Sequence, residues 1–303
     1  MQLLIARQHT TEPILVEVPD LQPDLRPDLR PGEVLLDVVA SSVNPVDLFV
    51  ASGRAHPVFG LPEEVGLGWD VIGRVRSVAA DVGSFNPGDL VAGLHADPTA
   101  PSGAHATQVV LAAAALALVP AGLSPVEAAT VPLNALTADQ ALRPLGEPAG
   151  RSLLITGAAG AVGGYAVALA SAAGWEVTAL ARGDDEAWVR AAGATHFVTS
   201  PESAAYDVVL DAAVLDEIAV TAVRDGGDYV GVMPSATPAV ERGVRVSAVS
   251  VRAEGARLGE LLARAATGEL EVRVAGTGSL DDAAAVYAKV AGGGHRGRWV
   301  LEV

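Results

Sequence analysis

The sequence predicts an α/β protein in which a β-rich segment precedes a doubly wound parallel sheet with helices on both faces. Three observations predict it. Residues 1–118 hold short apolar runs broken by Pro and Gly clusters, the texture of strands and turns. From near Val119, strands and helices alternate at the pitch of βαβ units. From about Val251 the pattern reverts to a short tail too small for a core of its own. The tail is therefore expected to rejoin the first segment, giving one discontinuous domain of residues 1–118 and 252–303 and a second of residues 119–251.

In the first segment, Val34–Ala40, Val71–Val78 and Gln108–Leu111 read as strands. Pro23–Gly32, PDLRPDLRPG, is a tandem duplication of the four residues PDLR, expected to be an exposed loop. Ser124 reads as a helix cap, followed by helical spacing over Pro125–Ala141. Ser152–Thr156 reads as a strand, Ala161–Ala173 as a helix, Glu176–Ala181 as a strand and Asp185–Ala192 as a helix. Strands follow at His196–Val198 and Tyr206–Asp211, then a helix at Leu215–Val223 and a strand at Asp228–Val232. The tail carries a helix at Arg257–Thr267, a strand at Glu271–Val274, a helix at Leu280–Ala291 and a strand at Arg298–Val303.

Composition narrows the function classes. Hydrophobic residues make up 50% of the 303 residues but aromatics only 4%, so the cores must be built from Ala, Val and Leu. No apolar run reaches the ~18 residues of a membrane helix, and MQLLIARQHT does not read as a secretory leader. A soluble, cytoplasmic protein is expected. Zero cysteines exclude disulfides, thiolate nucleophiles and cysteine-ligated metals. A net charge of −16 argues against nucleic acid, leaving a small molecule as the expected partner and no membrane. Lys289 is the single lysine, so the arginines reflect composition bias more than a device.

The sharpest chemical signal is LLITGAAGAVGGYAVALASAAG, Leu153–Gly174. Gly157, Gly160 and Gly163 turn a strand into a helix that opens with Ala161 and Val162. Glycines there let the backbone approach a pyrophosphate, whose charge meets free N–H groups and the helix dipole. A tight turn without a ligand is the plainer reading. The strand before and the alternating units after favour a dinucleotide.

The end of the next strand selects the dinucleotide. A reader of a 2′-hydroxyl places an acid there, about 20 residues past the glycines. This chain has Ala181 and Arg182, and a guanidinium suits the 2′-phosphate of NADPH, with Ser200 as a second contact. Alternatively Arg182 is a solvated residue held away by Asp184 and Asp185. Ala212 and Gly231, Val232 and Met233 fall at the carboxyl ends of strands, where a doubly wound sheet places its ligand, and read as walls.

Further motifs are ASSVNPVDLFVASG (Ala40–Gly53), GLGWDVIGRV (Gly66–Val75), FNPGDLVAGL (Phe85–Leu94), VPLNALTADQAL (Val131–Leu142), YDVVLDAA (Tyr206–Ala213) and GRWVLEV (Gly297–Val303). In this order, with the glycine loop, the chain resembles the medium-chain dehydrogenase/reductase superfamily, in its zinc-independent quinone oxidoreductase branch. The resemblance runs from end to end. It implies a GroES-like domain from the β-rich segment and tail, a Rossmann NADP-binding domain between, and a homodimer.

The resemblance also assigns residues. Asn44 and Thr137 are placed at the nicotinamide end of the cofactor, and Arg298 matches a basic cofactor contact. Asn44, Phe49, Asn134 and Met233 are expected to line the substrate pocket. A turn residue for Asn44, a self-bonded helix residue for Thr137 and a solvated loop for Arg298 are the plainer alternatives. Zinc-dependent relatives place Cys where Asn44 stands and a His–Glu pair where Trp69–Asp70 stand. The histidines, at 9, 56, 95, 105, 196 and 295, lack the spacing of a helical ligand pair. No metal is therefore expected.

The implied chemistry is hydride transfer from NADPH to a quinone or an activated alkene, with no single catalytic side chain assigned. Without a Lewis acid, alkoxide stabilisation is lost, whereas an already electrophilic carbon needs none. Enoyl reduction of a thioester in a biosynthetic pathway is the alternative within the fold. A non-catalytic dinucleotide-binding or structural protein is the alternative outside enzymes. The chain departs from the branch at Phe49, where Tyr is common, and at His105 and Gln108, where aromatics are common. His105 is read as a loop or surface residue, with a general acid as the sharper alternative.

Overall fold

The computed structural model describes residues 1–21 and 29–303, so much of the duplicated proline segment lies outside the described residues. The residues form two compact units. One comprises Met1–Leu133, Arg252–Gly268 and Val272–Val303, and the other Asn134–Val251 with Glu269–Glu271.

The first unit opens with β1 (Gln2–Arg7) paired antiparallel to β2 (Ile14–Glu17). The long β3 (Glu33–Val43) leads into two short helices, α1 (Pro45–Ala51) and α2 (Ala55–Phe59). β4 (Glu64–Gly66) pairs with β1, and β5 (Asp70–Val78), β6 (Leu90–Leu94), β7 (Gln108–Ala112) and β8 (Leu116–Leu118) complete the β-rich part. Alternating burial along these strands packs Val34, Leu36, Val71, Val75, Val91 and Val109 into one core around Phe85.

The sequence spacing predicts one helix over Pro125–Ala141, and the structure has two: α3 (Pro125–Ala128) and α4 (Pro132–Leu142). Pro132 lacks an amide hydrogen, and its ring disfavours helical geometry in the residue before it. The Ser124 cap holds: its hydroxyl accepts from the Glu127 N–H at 3.2 Å, and Glu127 accepts from the Ser124 N–H at 2.9 Å.

The second unit is the alternating region. β9 (Ser152–Thr156), α5 (Ala161–Ala172), β10 (Glu176–Leu180), α6 (Glu186–Ala191), β11 (His196–Val198), β12 (Tyr206–Asp211), α7 (Glu217–Thr221), β13 (Val223–Gly231) and β14 (Arg245–Ala248) follow in order. All their strand pairings are parallel, in the order β11-β10-β9-β12-β13-β14. The order reverses beside β9, so the switch point lies at its carboxyl end. The helix expected over Leu215–Val223 is shorter, because Val214 and Asp216 take φ of 54° and 49°. Those values are incompatible with a helix.

The tail supplies α8 (Gly255–Ala266), β15 (Val274–Ser279), α9 (Ala283–Gly292) and β16 (Arg298–Glu302). β16 pairs antiparallel with β3 on one side and parallel with β15 on the other. The strand expected at Glu271–Val274 lies instead at Val274–Ser279. Its sequence, VAGTGS, has little strand propensity, and pairing with β16 decides its position. The helix expected from Leu280 starts three residues later.

Candidate functional site

The cofactor loop begins where β9 ends. Gly157 takes φ of 57°, a region that side chains disfavour, and its carbonyl accepts the Gly160 N–H at 2.7 Å. Gly160 caps α5 in an extended conformation. A Cβ at Gly163 would lie 2.2 Å from the Gly157 oxygen, so only glycine lets the helix start against the turn. The amides of Ala161, Val162 and Gly163 lie in the first turn, with no earlier helical carbonyl to bond. Positive dipole and open donors at the carboxyl end of a parallel strand fit a pyrophosphate.

A polar clamp holds this corner. The Thr156 hydroxyl donates to Asp211 Oδ1 at 2.5 Å and accepts the Ala213 N–H at 3.1 Å. Asp211 Oδ2 accepts from Leu215 N (2.8 Å), Asp216 N (2.9 Å) and the Tyr229 hydroxyl (2.9 Å). Thr156, Asp211 and Tyr229 are all buried, and they tie the ends of β9 and β12 to β13. Burial and the Asp211 charge push the Tyr229 hydroxyl far above its usual range, so it donates and never ionises at neutral pH. The sequence reading missed this clamp; YDVVLDAA shows only an acid at a strand end, and the partners are 55 and 18 residues away.

The remaining sequence-predicted residues of this unit lie at strand ends and on α4. Ala212 follows β12 directly, Gly231 ends β13, and Val232 and Met233 continue from it half-buried. Arg182 and Ser200 occupy matching positions, each two residues past a strand end, where Leu180 of β10 pairs with Val198 of β11. The Arg182 side chain is 66% exposed, and its nearest acid, Asp185, is 3.9 Å away, beyond hydrogen-bond length. Asn134 and Thr137 lie one helical turn apart on α4, both buried.

The first unit carries a second polar centre, around Asn44. This residue caps α1, and its backbone N–H donates to Asp47 Oδ2 at 2.8 Å. Its side-chain Nδ2 donates to Asp70 Oδ2 at 2.7 Å and to Ser42 Oγ at 3.1 Å. Asp70 also accepts from the Ser42 hydroxyl at 2.5 Å and, through Oδ1, from Leu133 N in the first turn of α4 at 2.6 Å. Asp47 accepts in addition from Gly68 N at 3.1 Å. Burial pushes the Asp47 carboxyl up to about 7 and Asp70 up to about 6, against the lowering by these donors. Phe49, on α1, stacks edge-on against Phe59, with the Arg54 guanidinium over its ring.

Two readings are corrected here. His105 does lie in a loop, between β6 and β7, but not at the surface; it is fully buried. Its Nε2 lies 3.1 Å from the Ser42 carbonyl, which can only accept, so Nε2 carries the proton. Nδ1 then accepts from the Tyr287 hydroxyl at 2.8 Å. Burial pushes the His105 pKa down to about 4, so it is neutral and committed on both nitrogens, unsuited to deliver a proton near neutrality. Arg298 opens β16 and is half-buried rather than in a solvated loop; its N–H donates to the Arg273 carbonyl at 3.0 Å and its charge lowers Asp47.

Among the described residues, no three His, Cys, Asp or Glu side chains gather as a metal-binding group. The pair Asn44 and Asp70 does not fit zinc, because an amide donor faces the carboxylate and three donors already fill its oxygens. No helix of the described residues is long and apolar enough to cross a membrane.

Comparison with known proteins adds the family. Residues 30–121 match the alcohol dehydrogenase GroES-like domain and residues 183–301 the zinc-binding dehydrogenase domain. The chain is 36% identical over 231 residues to erythronolide synthase of Saccharopolyspora erythraea, covering 66% of this chain and 6% of that protein. It is 32% identical to a chloroplastic quinone-oxidoreductase homolog of Spinacia oleracea, covering 60% of this chain and 59% of that one. The chain thus spans less than two thirds of either relative. A solved alcohol dehydrogenase superfamily protein from Novosphingobium aromaticivorans superimposes with a TM-score of 0.81 at 27% identity, covering 99% of both chains. A GroES-like unit, a dinucleotide-type parallel sheet and these matches together assign the chain to the medium-chain dehydrogenase/reductase superfamily.

Proposed function

We propose that this protein is an NADPH-dependent oxidoreductase that transfers hydride to a quinone or an activated alkene without a metal. The observation that carries the reading is the crowded glycine turn at the carboxyl end of β9. Gly163 approaches the Gly157 oxygen so closely that no side chain fits, and the first amides of α5 open beside it. Arg182 and Ser200, at neighbouring strand ends, supply a guanidinium and a hydroxyl for a 2′-phosphate. The quinone acceptor is supported by the spinach relative's name and by the Asn44–Asp70 hydrogen bond where zinc-dependent relatives hold metal ligands.

The nicotinamide supplies the hydride when bound. The chain's residues bind and orient. The Gly157–Gly163 turn and the α5 N-terminus hold the phosphates, the Thr156–Asp211–Tyr229 clamp fixes the floor beneath them, and the Asn44 carboxamide and Thr137 serve the nicotinamide end. Asn134 and Met233 of the second unit and Phe49 of the first are assigned to the acceptor on the family resemblance alone. His105, neutral and bonded through both ring nitrogens, is not the proton donor, and the reaction requires none from a side chain because water can protonate the product.

The test mixes the purified protein with NADPH or NADH and follows nicotinamide absorbance against benzoquinone, 9,10-phenanthrenequinone, a linear 2-enone and crotonyl-coenzyme A. Oxidation of NADPH by a quinone or the free enone is expected. Turnover of the thioester alone moves the assignment to enoyl reduction, and binding without turnover on any acceptor overturns the enzyme reading. Arg182→Ala is expected to cut the preference for NADPH over NADH roughly tenfold, the scale of one charge-assisted contact. An unchanged preference removes Arg182 from the cofactor site.

A further inference from the structure

We infer that Asp70 is a positioning residue that sets the orientation of the Asn44 carboxamide and ties it to the first turn of α4. The inference rests on the reading of Asn44 as a nicotinamide-end residue, but its geometry stands independently. A terminal amide can be placed either way round, and its partners decide which end is the donor. Here Nδ2 faces Asp70 Oδ2 at 2.7 Å and Ser42 Oγ at 3.1 Å, and the Ser42 hydroxyl spends its own proton on Asp70. An ionised carboxylate only accepts, so the nitrogen is forced to this side and the carbonyl oxygen of Asn44 to the other.

The other oxygen of Asp70 accepts the Leu133 N–H at 2.6 Å, a negative charge at the positive end of α4. One carboxylate thus connects the α1 cap to the helix that carries Asn134 and Thr137. Three donors converge on two oxygens with no solvent access, an arrangement that asparagine cannot reproduce. With one acceptor and one NH2, it leaves either Leu133 N or Asn44 Nδ2 facing another donor.

The charged and titratable groups around Asp70 are few. Asp47 lies nearby and its charge raises Asp70; His105 is held neutral; Tyr287 donates to His105; Arg298 acts on Asp47. Burial makes the Asp70 proton harder to lose, and its pKa near 6 places the loss of the anchor just below neutrality. Protonated Asp70 has a hydroxyl where an acceptor is required, so the carboxamide loses its fixed orientation in acid.

The experiment compares wild type, Asp70→Asn and Ser42→Ala by steady-state kinetics across pH and by the side-chain amide NMR signals of Asn44. Those signals are assigned by their loss in Asn44→Ser. In wild type the Asn44 amide pair is expected to shift with a midpoint near pH 6. Asp70→Asn is expected to abolish that titration. It should also lower kcat about 10- to 100-fold with NADPH affinity within about twofold, and remove the acid limb of the kcat profile. Ser42→Ala keeps the carboxylate and is expected to keep the titration with a loss of only about threefold. It is the folded reference if Asp70→Asn proves unstable, and loss of the titration in it overturns the inference. An Asn44 amide that does not titrate in wild type, or a folded Asp70→Asn protein with wild-type kcat and acid limb, also overturns it. If wild type turns over no acceptor, the functional reading fails while the amide titration still decides the role of Asp70.

Discussion

His105 and the two buried aspartates pull the stability of the first unit in opposite directions with pH. Burial holds the His105 pKa down to about 4, below the unfolded value of about 6.5. Its contribution is complete above about pH 6.5 and is lost as pH falls toward 4. Asp47 and Asp70 are raised, to about 7 and about 6, so the folded state holds their protons more tightly than the unfolded chain does. Their contribution is complete below about pH 4 and is lost as pH rises through those values. His105→Gln keeps a donor toward Ser42 and cannot titrate. Its melting temperature is expected to fall less than that of wild type between about pH 7 and about pH 4.5. Equal falls would place the acid sensitivity elsewhere.

At the scale of elements, the strand-to-helix turn and the clamp below it make separable predictions. Gly163→Ala forces a Cβ to 2.2 Å from a backbone oxygen, so the turn must open and dinucleotide affinity is expected to fall at least tenfold. Gly160→Ala meets the Gly157 oxygen at 3.0 Å and calls for a smaller adjustment, with a loss of about threefold. Equal affinities in a binding titration would remove the crowding argument. Tyr229→Phe deletes one hydrogen bond to a buried carboxylate and should cost about 1–3 kcal/mol in chemical denaturation.

These elements also show what was legible in the sequence. β9, α5 and β10 were readable because apolar runs met Gly near their ends, and β12 because its apolar run follows the turn residues Ser200–Ser203, in each case a local signal. β15 was not, because VAGTGS becomes a strand only through a partner farther along the chain. Asn44 and the glycines were found through motifs. The partners of Asn44 and Asp211 lay beyond reach because Asp70 is 26 residues from Asn44, and Tyr229 is 18 from Asp211. His105 was misplaced for the same reason: Tyr287, which helps to bury it, stands 182 residues away. Periodicity reports neighbours along an element, not neighbours across a core.

For the whole molecule, the pH-sensitive groups and the glycine turn belong to different units. Asp47, Asp70 and His105 lie in the first, and Gly157–Gly163 in the second. Calorimetry that resolves two transitions is expected to show one that moves with pH and one that NADPH raises. A pH response carried by the NADPH-raised transition alone would contradict the assignment of the buried acids.

The placement of β16 has a consequence for biosynthesis. Residues 298–302 sit inside a sheet, hydrogen-bonded on one flank to β3 and on the other to β15. On the ribosome, the 134–251 stretch emerges as an unbroken run and can complete its parallel sheet while translation continues. The β-rich unit has no such freedom. Its long third strand keeps an open edge until residues 298–302 have been made, leaving Ala40–Val43 available to any passing strand while the roughly 250 residues between them are synthesised.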